Sequence, residues 1–593
     1  MKLSDYVADF LAKQGIRHVF AITGGASIHL IHSVADHPGI DFICPQHEQG
    51  GAMAADGYAR VSGGLGAAFA TSGPGATNMI TGIACSWFDS VPVIYITGQV
   101  TTFRLKGTTG VRQMGFQETE IVPMVAPISK YAVMLTDAKR IRYELEKAVH
   151  IARSGRPGPV VIDIPDDLQR SEIDAATLEG YVPPAVEVKA RDISSEIERC
   201  LPMLAAAERP VLIVGWGVRL GGAVKEIHQL AERLGFPVVP SWAAMDIFPS
   251  DHPLVVGGFG THGTRPGNFA VQNADLVLTI GARLSTRETG SPLSSWARGA
   301  KTIIVDIDPA ELRKFPHFGR PLDLPIESDA KSFITSLLGR LRDFRGQNLD
   351  PWRQRVREWK KRYPTCAPEF YEEKPVNPYV FVEEMSKASS EGDTIFVDTG
   401  CSIAWMMQGF RFKKGQRLFH DFNNTAMGYA LPAAIGGSLA QGGKPVTCIS
   451  GDGSLLMNIQ ELCTAQRHRL PIKLFLVNNQ AHAMVQQTQE QWLGGHYHAT
   501  SVEGGLWFPD FVKIAEACGF ATLTVDTNKD LSNVIRRAMA ADGPVFCDVR
   551  VPTKHRVLPQ CKFGYPIEDA EPLLPRKEFL ENMIVEPMEV SLR

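Results

Sequence analysis

The chain has no C-x-x-C pair among its ten cysteines. A zinc centre needs clustered ligands and a disulfide scaffold needs paired spacing, so reduced, mostly buried thiols are expected. It also lacks an excess of either charge. Sixty-one Lys and Arg against 64 Asp and Glu leave a formal net charge of −3, without any block of five or six like charges. That removes the electrostatic case for nucleic-acid binding. No uninterrupted apolar stretch reaches the roughly 18 residues that suggest a membrane span. The start, Met1-Lys2-Leu3-Ser4-Asp5-Tyr6, lacks the apolar run of a signal peptide, which places the chain in the cytoplasm as an expectation.

At 593 residues, 44% hydrophobic and 21% charged, the chain is ordinary in composition but too long for one core. Leu3, Tyr6, Val7, Phe10 and Leu11 recur at helical spacing, and His18-Val19-Phe20-Ala21-Ile22 then reads as a buried strand running into a turn at Gly24-Gly25. Helix and strand signals alternate from there on. Alternation of this kind predicts α/β architecture, with three doubly wound parallel-sheet domains. The expected bounds are 1–170, 191–345 and 375–552, with a proline-rich tail at 553–593 that wraps or caps rather than forming a fourth fold. A linker is expected over 169–191, where Val182-Pro183-Pro184 interrupts the pattern.

The densest chemistry lies in the third unit. Val446-Thr447-Cys448-Ile449-Ser450 is a short buried strand followed at once by Gly451-Asp452-Gly453-Ser454, and Ile472-Lys473-Leu474-Phe475-Leu476-Val477 ends in Asn478-Asn479. Two parallel strands bring Asp452 and Asn479 to one carboxyl edge, where ligands bind in open α/β sheets. A carboxylate and an amide oxygen suit Mg²⁺, which takes oxygen ligands and shares phosphate oxygens. The glycines let backbone amides approach a diphosphate beside the helix start at Ser454. Gly-Asp-Gly alone is compatible with an ordinary β-turn, so it is the strand context that favours a cofactor site.

Gly-Asp-Gly-Ser followed by Asn-Asn resembles the signature of thiamine-diphosphate enzymes, and the chain resembles their acetolactate synthase branch from near its start to about residue 552. Gln46-His47-Glu48-Gln49-Gly50 and Ala54-Ala55-Asp56-Gly57-Tyr58-Ala59-Arg60 match its cofactor-activating segment. Thr71-Ser72-Gly73-Pro74-Gly75-Ala76-Thr77-Asn78 matches its next loop. The resemblance implies pyrimidine-binding, central FAD-type and diphosphate-binding domains, in that order. It makes Glu48 the residue that hydrogen-bonds the pyrimidine N1′ and promotes proton removal from the thiazolium C2, which calls for shielding from water. Without the diphosphate anchor, Glu48 reads equally as a solvated helix-start acid.

The same resemblance assigns Gly24, Gly25, Thr71, Gly75, Asn78, Ser402, Gly451, Gly453, Ser454, Met484 and Val485 to the thiamine diphosphate. Met427 would wedge under the bent cofactor and Thr425 would offer a carbonyl to its 4′-amine, although a methionine there also suits plain core packing. Ala481 would give Mg²⁺ a main-chain carbonyl beside Asp452 and Asn479. FAD is implied in the central domain by Gly215-Trp216-Gly217, Ser241-Trp242, Thr261-His262-Gly263, Gly281, Arg283 and Asp306-Ile307. Non-flavin relatives keep a similar domain, and Gly215-Trp216-Gly217 is no complete dinucleotide fingerprint. Arg287 aligns with an arginine that holds the acceptor's carboxylate near the flavin. A surface ion pair is the commoner role of an arginine.

Other positions depart from the branch. Thr488 stands where a tryptophan usually shapes the acceptor pocket, Arg112-Gln113-Met114-Gly115-Phe116-Gln117-Glu118 is shortened, and Gly400-Cys401-Ser402-Ile403 lacks a Gln-His pair. These departures resemble the flavin-containing carboligases of yersiniose biosynthesis, which add the two-carbon unit of pyruvate to the ketone of a CDP-activated deoxysugar. Gln113, Thr488, Arg287 and His29 are therefore the expected substrate residues, with His29 equally readable as an ordinary helix histidine. A bulky ketone acceptor is the expectation. Pyruvate as acceptor, which is acetolactate synthesis, is the alternative, and a pyruvate oxidase-type flavin reaction is a lesser one. In the family Glu48 and Asp452 come from different subunits, so a homodimer or homotetramer with the active site between subunits is expected. The remaining partners are pyruvate and a carbonyl acceptor.

Overall fold

Long apolar runs without alternation, such as Val446-Thr447-Cys448-Ile449-Ser450, become strands buried on both faces, as parallel sheets between helix layers require. A computed structural model describes residues 1–184 and 191–592. Residues 185–190 of the expected linker, and Arg593, lie outside the described residues.

Three parallel sheets follow one another along the chain. The first contains β1 (His18–Ala21), β2 (Asp41–Ile43), β3 (Gly66–Ala70), β4 (Val93–Gln99), β5 (Tyr131–Met134) and β6 (Val160–Pro165). The second contains β7 (Pro210–Val214), β8 (Val238–Pro240), β9 (Leu276–Ile280), β10 (Lys301–Asp306) and β11 (Leu324–Glu327). The third contains β12 (Thr394–Val397), β13 (Arg417–Phe419), β14 (Val446–Gly451), β15 (Ile472–Asn478), β16 (Ala521–Val525) and β17 (Val545–Arg550).

The strand orders are β2-β1-β3-β4-β6-β5 and β13-β12-β14-β15-β17-β16 in the outer sheets, and β11-β10-β9-β7-β8 in the middle one. The first and third sheets therefore share one topology. In each, strand order reverses between the first and third strands, and the crevice at that switch point is where open α/β sheets bind ligands. Gly24 and Thr71 flank the crevice in the first sheet, with the Ala26 N–H donating to Thr71 Oγ1 at 3.2 Å. In the third, Ser450 Oγ donates to Asp398 at 2.9 Å and Ser454 Oγ to the Thr399 carbonyl at 3.4 Å.

Six helices carry the later argument: α1 (Glu48–Ser62), α2 (Ala430–Ala440), α3 (Asp452–Leu456), α4 (Glu461–Arg467), α5 (Ala483–Leu493) and α6 (Phe511–Ala517). In the duplicated topology α1 follows β2 as α2 follows β13, and these two helices pack directly on each other. A Cβ on Gly57 would lie 2.2 Å from the Ala433 carbonyl oxygen, and one on Gly436 would lie 1.9 Å from that of Ala54. Ala54 faces Gly436 and Gly57 faces Ala433, so the helices pass in opposite senses with backbones nearly touching.

The tail packs on the central domain. Cys561, Ile567, Ala570 and Phe579 share a core with Phe259, Phe269, Trp352 and Trp359, and Trp359 Nε1 donates to Asn582 at 2.7 Å. The tail includes the helices Arg576–Asn582 and Glu589–Leu592, more regular structure than its prolines suggest. The charged stretch ahead of the third sheet forms the helix Asp350–Arg362, which buries Trp352, Val356 and Trp359. Among the described residues no helix is long and apolar enough to cross a membrane.

Gly436→Ala is expected to lower stability in urea unfolding by about 2 kcal/mol or more, because overpacking here pushes against backbone. Gly442→Ala, where a Cβ has open space but φ is +74°, costs only its local strain, about 1 kcal/mol.

Candidate active site

Adjacent pairing of β14 with β15 sets Gly451 opposite Val477, so the next residues on both strands emerge together. Asp452, 2% exposed, accepts the Gly453 N–H through Oδ1 at 2.6 Å. Its Oδ2 accepts the N–H groups of Asn479 at 2.9 Å and Gln480 at 2.5 Å. Burial pushes its carboxyl up to about 6, and these backbone donors oppose the shift. Asn479 Oδ1 accepts the Ala481 N–H at 3.1 Å. The set offers one carboxylate, one amide oxygen and one main-chain carbonyl. Among the described residues no three His, Cys, Asp or Glu cluster as a self-sufficient metal site. A lone carboxylate with neutral oxygens fits Mg²⁺ that shares its charge with a diphosphate.

The anchor's surroundings include residues that the motif left out. A Cβ on Gly453 would meet His482 Nε2 at 2.4 Å and Met427 Cε at 3.5 Å, and one on Gly451 would lie 3.7 Å from Ser402 Oγ. Met427, Ser402, Gly451, Gly453 and His482 are thus neighbours. Thr425 has φ +55°, and the loop it belongs to is fixed by the Ala426 N–H on Asp421 at 2.8 Å and the Gly428 N–H on Asp398 at 3.0 Å. Asp398 and His482 escaped the motif reading, although each directly follows a strand-end or motif residue. Met484 and Val485 open α5, with Val485 50% exposed. Thr488 follows one turn later and donates to the Met484 carbonyl at 3.4 Å.

The other half centres on Glu48, the first residue of α1. Its Oε2 accepts Asn78 Nδ2 at 2.9 Å, and Oε1 stands 3.3 Å from where a Gly75 Cβ would be. A side chain at 75 would crowd Thr71 Cγ2 first, at 2.8 Å, and that oxygen second. Thr71 would meet a Cβ on Gly24 at 2.4 Å, so Gly24, Thr71, Gly75 and Asn78 form one wall with Glu48, and Gly25 continues it as an exposed residue. Glu48 itself is only half-buried, so one chain does not supply the expected shielding. Glu461 on α4, unmarked by any motif, accepts the N–H groups of Gln46 and His47 at 3.1 Å each. Gln49 Nε2 also donates to Asn458 at 3.4 Å. The third domain thereby grips the turn that presents Glu48.

The expected substrate residues His29 and Gln113 each bond within the first domain. His29 pairs with Asp166 at 3.8 Å, and exposed Gln113 donates to the Glu118 carbonyl at 3.0 Å. Among the described residues, no hydrogen bond joins either to Thr488.

A separate cavity lies where all three domains meet. Trp216, Gly217, Ser241, Trp242, His262, Gly281, Arg283, Arg287, Asp306 and Ile307 line it from the central domain, with Arg60 and Asp89 from the first and Phe422 and Asn423 from the third. Thr261 and Gly263 lie behind the wall, Thr261 donating its N–H to the Arg287 carbonyl at 2.7 Å. Gly215 and Gly217 approach the Gly281 segment so closely that a Cβ on Gly215 would lie 2.1 Å from the Gly281 carbonyl oxygen. Arg287 donates to the Phe422 carbonyl at 3.1 Å and lies 4.7 Å over the Trp242 ring, so it is no surface ion pair. Trp216 Nε1, His262 Nδ1 and Arg283 Nε are buried without partners among the described residues. Orphaned donors facing a cradle of close backbone are what a large polar cofactor such as FAD would satisfy.

Over residues 1–124 the chain matches the family described as thiamine pyrophosphate enzyme, N-terminal TPP binding domain. Residues 197–337 match the central domain of these enzymes and 398–549 the C-terminal TPP binding domain. The acetolactate synthase large subunit of Cyanidium caldarium is 35% identical over 568 residues, 94% of each chain. The probable acetolactate synthase large subunit of Methanocaldococcus jannaschii is 34% identical, covering 93% of this chain and 92% of its own. For acetolactate synthase 2, chloroplastic, of Nicotiana tabacum the identity is 34%, over 96% of this chain and 85% of that one. Three parallel-sheet domains in this order, with the anchor on the carboxyl edge of the third sheet at the ends of β14 and β15, define a thiamine-diphosphate-dependent enzyme. The chain belongs to the acetolactate synthase family of such enzymes, transferases that form carbon–carbon bonds.

His420 is fully buried, its Nδ1 hydrogen-bonded to the Val397 carbonyl at 2.8 Å, and burial drives its pKa down to about 3. A histidine depressed on folding contributes stability above its unfolded pKa, near 6.5, that is lost as pH falls toward the folded value. The unfolding midpoint is expected to fall below about pH 6.5, and His420→Asn should flatten that slope in a pH series of urea titrations.

Proposed function

We propose that the protein decarboxylates pyruvate and joins the two-carbon unit to a second pyruvate, giving acetolactate. The observation that carries this is the Asp452–Asn479 pair at the adjacent carboxyl ends of β14 and β15, in a chain whose whole-length relatives are named acetolactate synthase. The sequence alone favoured a bulkier acceptor, and these relatives move the preference to pyruvate.

Asp452, Asn479 and the Ala481 carbonyl would hold Mg²⁺ on the diphosphate, and Gly451 would leave room for its oxygens. When bound, thiamine diphosphate supplies the carbon nucleophile for the keto carbon of pyruvate and holds the charge as CO₂ leaves. Glu48 would share a proton with the pyrimidine N1′, held in aim by Asn78 and by the room at Gly75. Met427 would brace the cofactor from beneath, and Thr425 would offer its carbonyl from the left-handed backbone at that residue. Arg287 would fork onto the acceptor's carboxylate. FAD would occupy the three-domain cavity against Trp216, His262 and Arg283. Two pyruvates give acetolactate and CO₂ with no net electron transfer, so the flavin there would organise the junction rather than turn over.

The active site would form between two copies. Glu48 is half-exposed, and large apolar side chains stand in solvent on both halves: Phe116 85% and Met114 71% exposed in the first domain, Trp507 76% and Trp492 53% in the third. A second copy of the chain would cover these side chains in the assembly proposed.

A larger ketone acceptor is the second reading, favoured by α5. Thr488 occupies little space there, Trp492 lies one turn further on the same face, and Lys562 Nζ sits 4.3 Å over the Trp492 ring. A planar group with a nearby anion, such as a nucleotide, would find an aromatic face and a cation beside the small residue.

Labelled pyruvate offered alone and with a panel of ketones separates the two readings by product mass. Acetolactate as the main product supports the first, and a branched adduct formed at the expense of acetolactate supports the second. Glu48→Gln and Asp452→Asn are each expected to lower turnover at least a hundredfold. When the two inactive variants are mixed and allowed to exchange subunits, about a quarter of wild-type turnover should return, the statistical share if every site draws on both chains. No recovery despite demonstrated exchange contradicts the shared site.

A further inference from the structure

All ten cysteines are free thiols, and two of them meet. Cys463 on α4 and Cys518, the residue after α6, stand with sulfurs 3.8 Å apart, van der Waals contact. Cys463 is exposed and Cys518 partly so, whereas Cys85, Cys200, Cys401, Cys448, Cys547 and Cys561 are buried.

The surrounding packing holds the two segments in register. Leu462 and Ala465 of α4 share one core with Phe511, Ala515 and Phe520 around α6. Gly519, at φ +83°, sets the turn against α4, where a Cβ would lie 2.9 Å from Gln466 Nε2. A disulfide needs sulfurs about 2 Å apart, and these two already stand in contact across the packed α4 and α6 segments. The greater exposure of Cys463 makes its open sulfur the point of entry and Cys518 the resolving group.

We propose that Cys463 and Cys518 form a reversible disulfide by exchange with a low-molecular-weight disulfide such as oxidised glutathione. The Cys463 thiolate attacks one sulfur of the reagent and expels one thiolate, leaving a mixed disulfide. The Cys518 thiolate then displaces the second. Two protein thiols are oxidised, the reagent's S–S bond is reduced, and two small thiols carry away the two protons. The link closes a loop of 55 residues and ties α4 to the turn after α6. Two residues before Cys463, Glu461 holds the Gln46–His47 turn ahead of Glu48. The disulfide therefore acts on the element that bears on the cofactor-facing helix, without touching a cofactor residue. This inference stands apart from the proposed acceptor and from the proposed activity.

The full-length enzyme, incubated under native conditions with oxidised glutathione, alkylated and mapped without reduction, should yield a Cys463–Cys518 linked peptide two hydrogens lighter than its parts. The link should vanish with dithiothreitol and be absent in Cys463→Ser and Cys518→Ser, with pyruvate turnover of reduced Cys463→Ser at the wild-type level. The linked form should melt a few degrees above the reduced one, because closing a long loop narrows the unfolded ensemble. Recovery of both sulfurs as separate glutathione adducts or as alkylated thiols would overturn the proposal. So would a linked form that melts below the reduced one, which would place the pair out of register for a native bridge.

Discussion

The crossing of α1 over α2 is the constraint on which the rest of the arrangement depends. Gly57 and Gly436 bring backbone against backbone, so the first and third domains can dock in only one register. That register is locked beside the crossing by a buried ion network. Arg60 donates to Asp56 at 2.5 Å, to Asp89 at 2.9 Å and to the His420 carbonyl at 3.0 Å, while Tyr429 donates to Asp56 at 2.5 Å. Removing one partner from such a cluster strands a buried charge, a loss of about 3–5 kcal/mol. The crossing leads at one end into the turn that presents Glu48, and at the other it follows the loop that contains Thr425 and Met427.

From this crossing the influence runs to the central cavity. Asp89 accepts the Phe422 N–H at 2.8 Å and Asn423 Nδ2 at 2.6 Å, and Asn423 in turn accepts Arg283 at 2.6 Å. The loop ahead of Met427 is thus held simultaneously by the first domain and by a wall of the three-domain cavity. A flavin bound there would bear on the thiamine-facing loop through these contacts without sharing electrons with it. In the proposed function the duplicated topology would serve two tasks: the loop after β3 would present small residues to a planar ring, and the equivalent loop after β14 would present an acid to a metal and a diphosphate.

Much of this was legible in the sequence because it rests on local signals. Buried strands such as Ile472–Asn478 read as apolar runs, and Gly451-Asp452-Gly453-Ser454 with Asn479 needed only strand adjacency to be brought together. Glu461, Asp398 and the Arg60 network were not legible. Glu461 and Arg60 act across hundreds of residues and Asp398 across 30 and 52, and no spacing rule connects position 461 to position 46. The acceptor end was less legible still. Gln113, His29 and Thr488 share no hydrogen bond among the described residues, so residue types alone could not say what they meet. The tail misled by composition, since its prolines obscured the Arg576–Asn582 helix that packs on the central core through Phe579.

The proposed function centres on Glu48 acting on the bound cofactor, and the most direct measurement is the rate at which the thiazolium C2 proton of enzyme-bound thiamine diphosphate exchanges with deuterium, read by NMR after rapid quench. Wild-type protein should accelerate that exchange by orders of magnitude over the free cofactor. Glu48→Gln, with binding verified by calorimetry, should return it close to the free rate. Equal exchange in the two proteins at equal cofactor occupancy would contradict the assignment of Glu48.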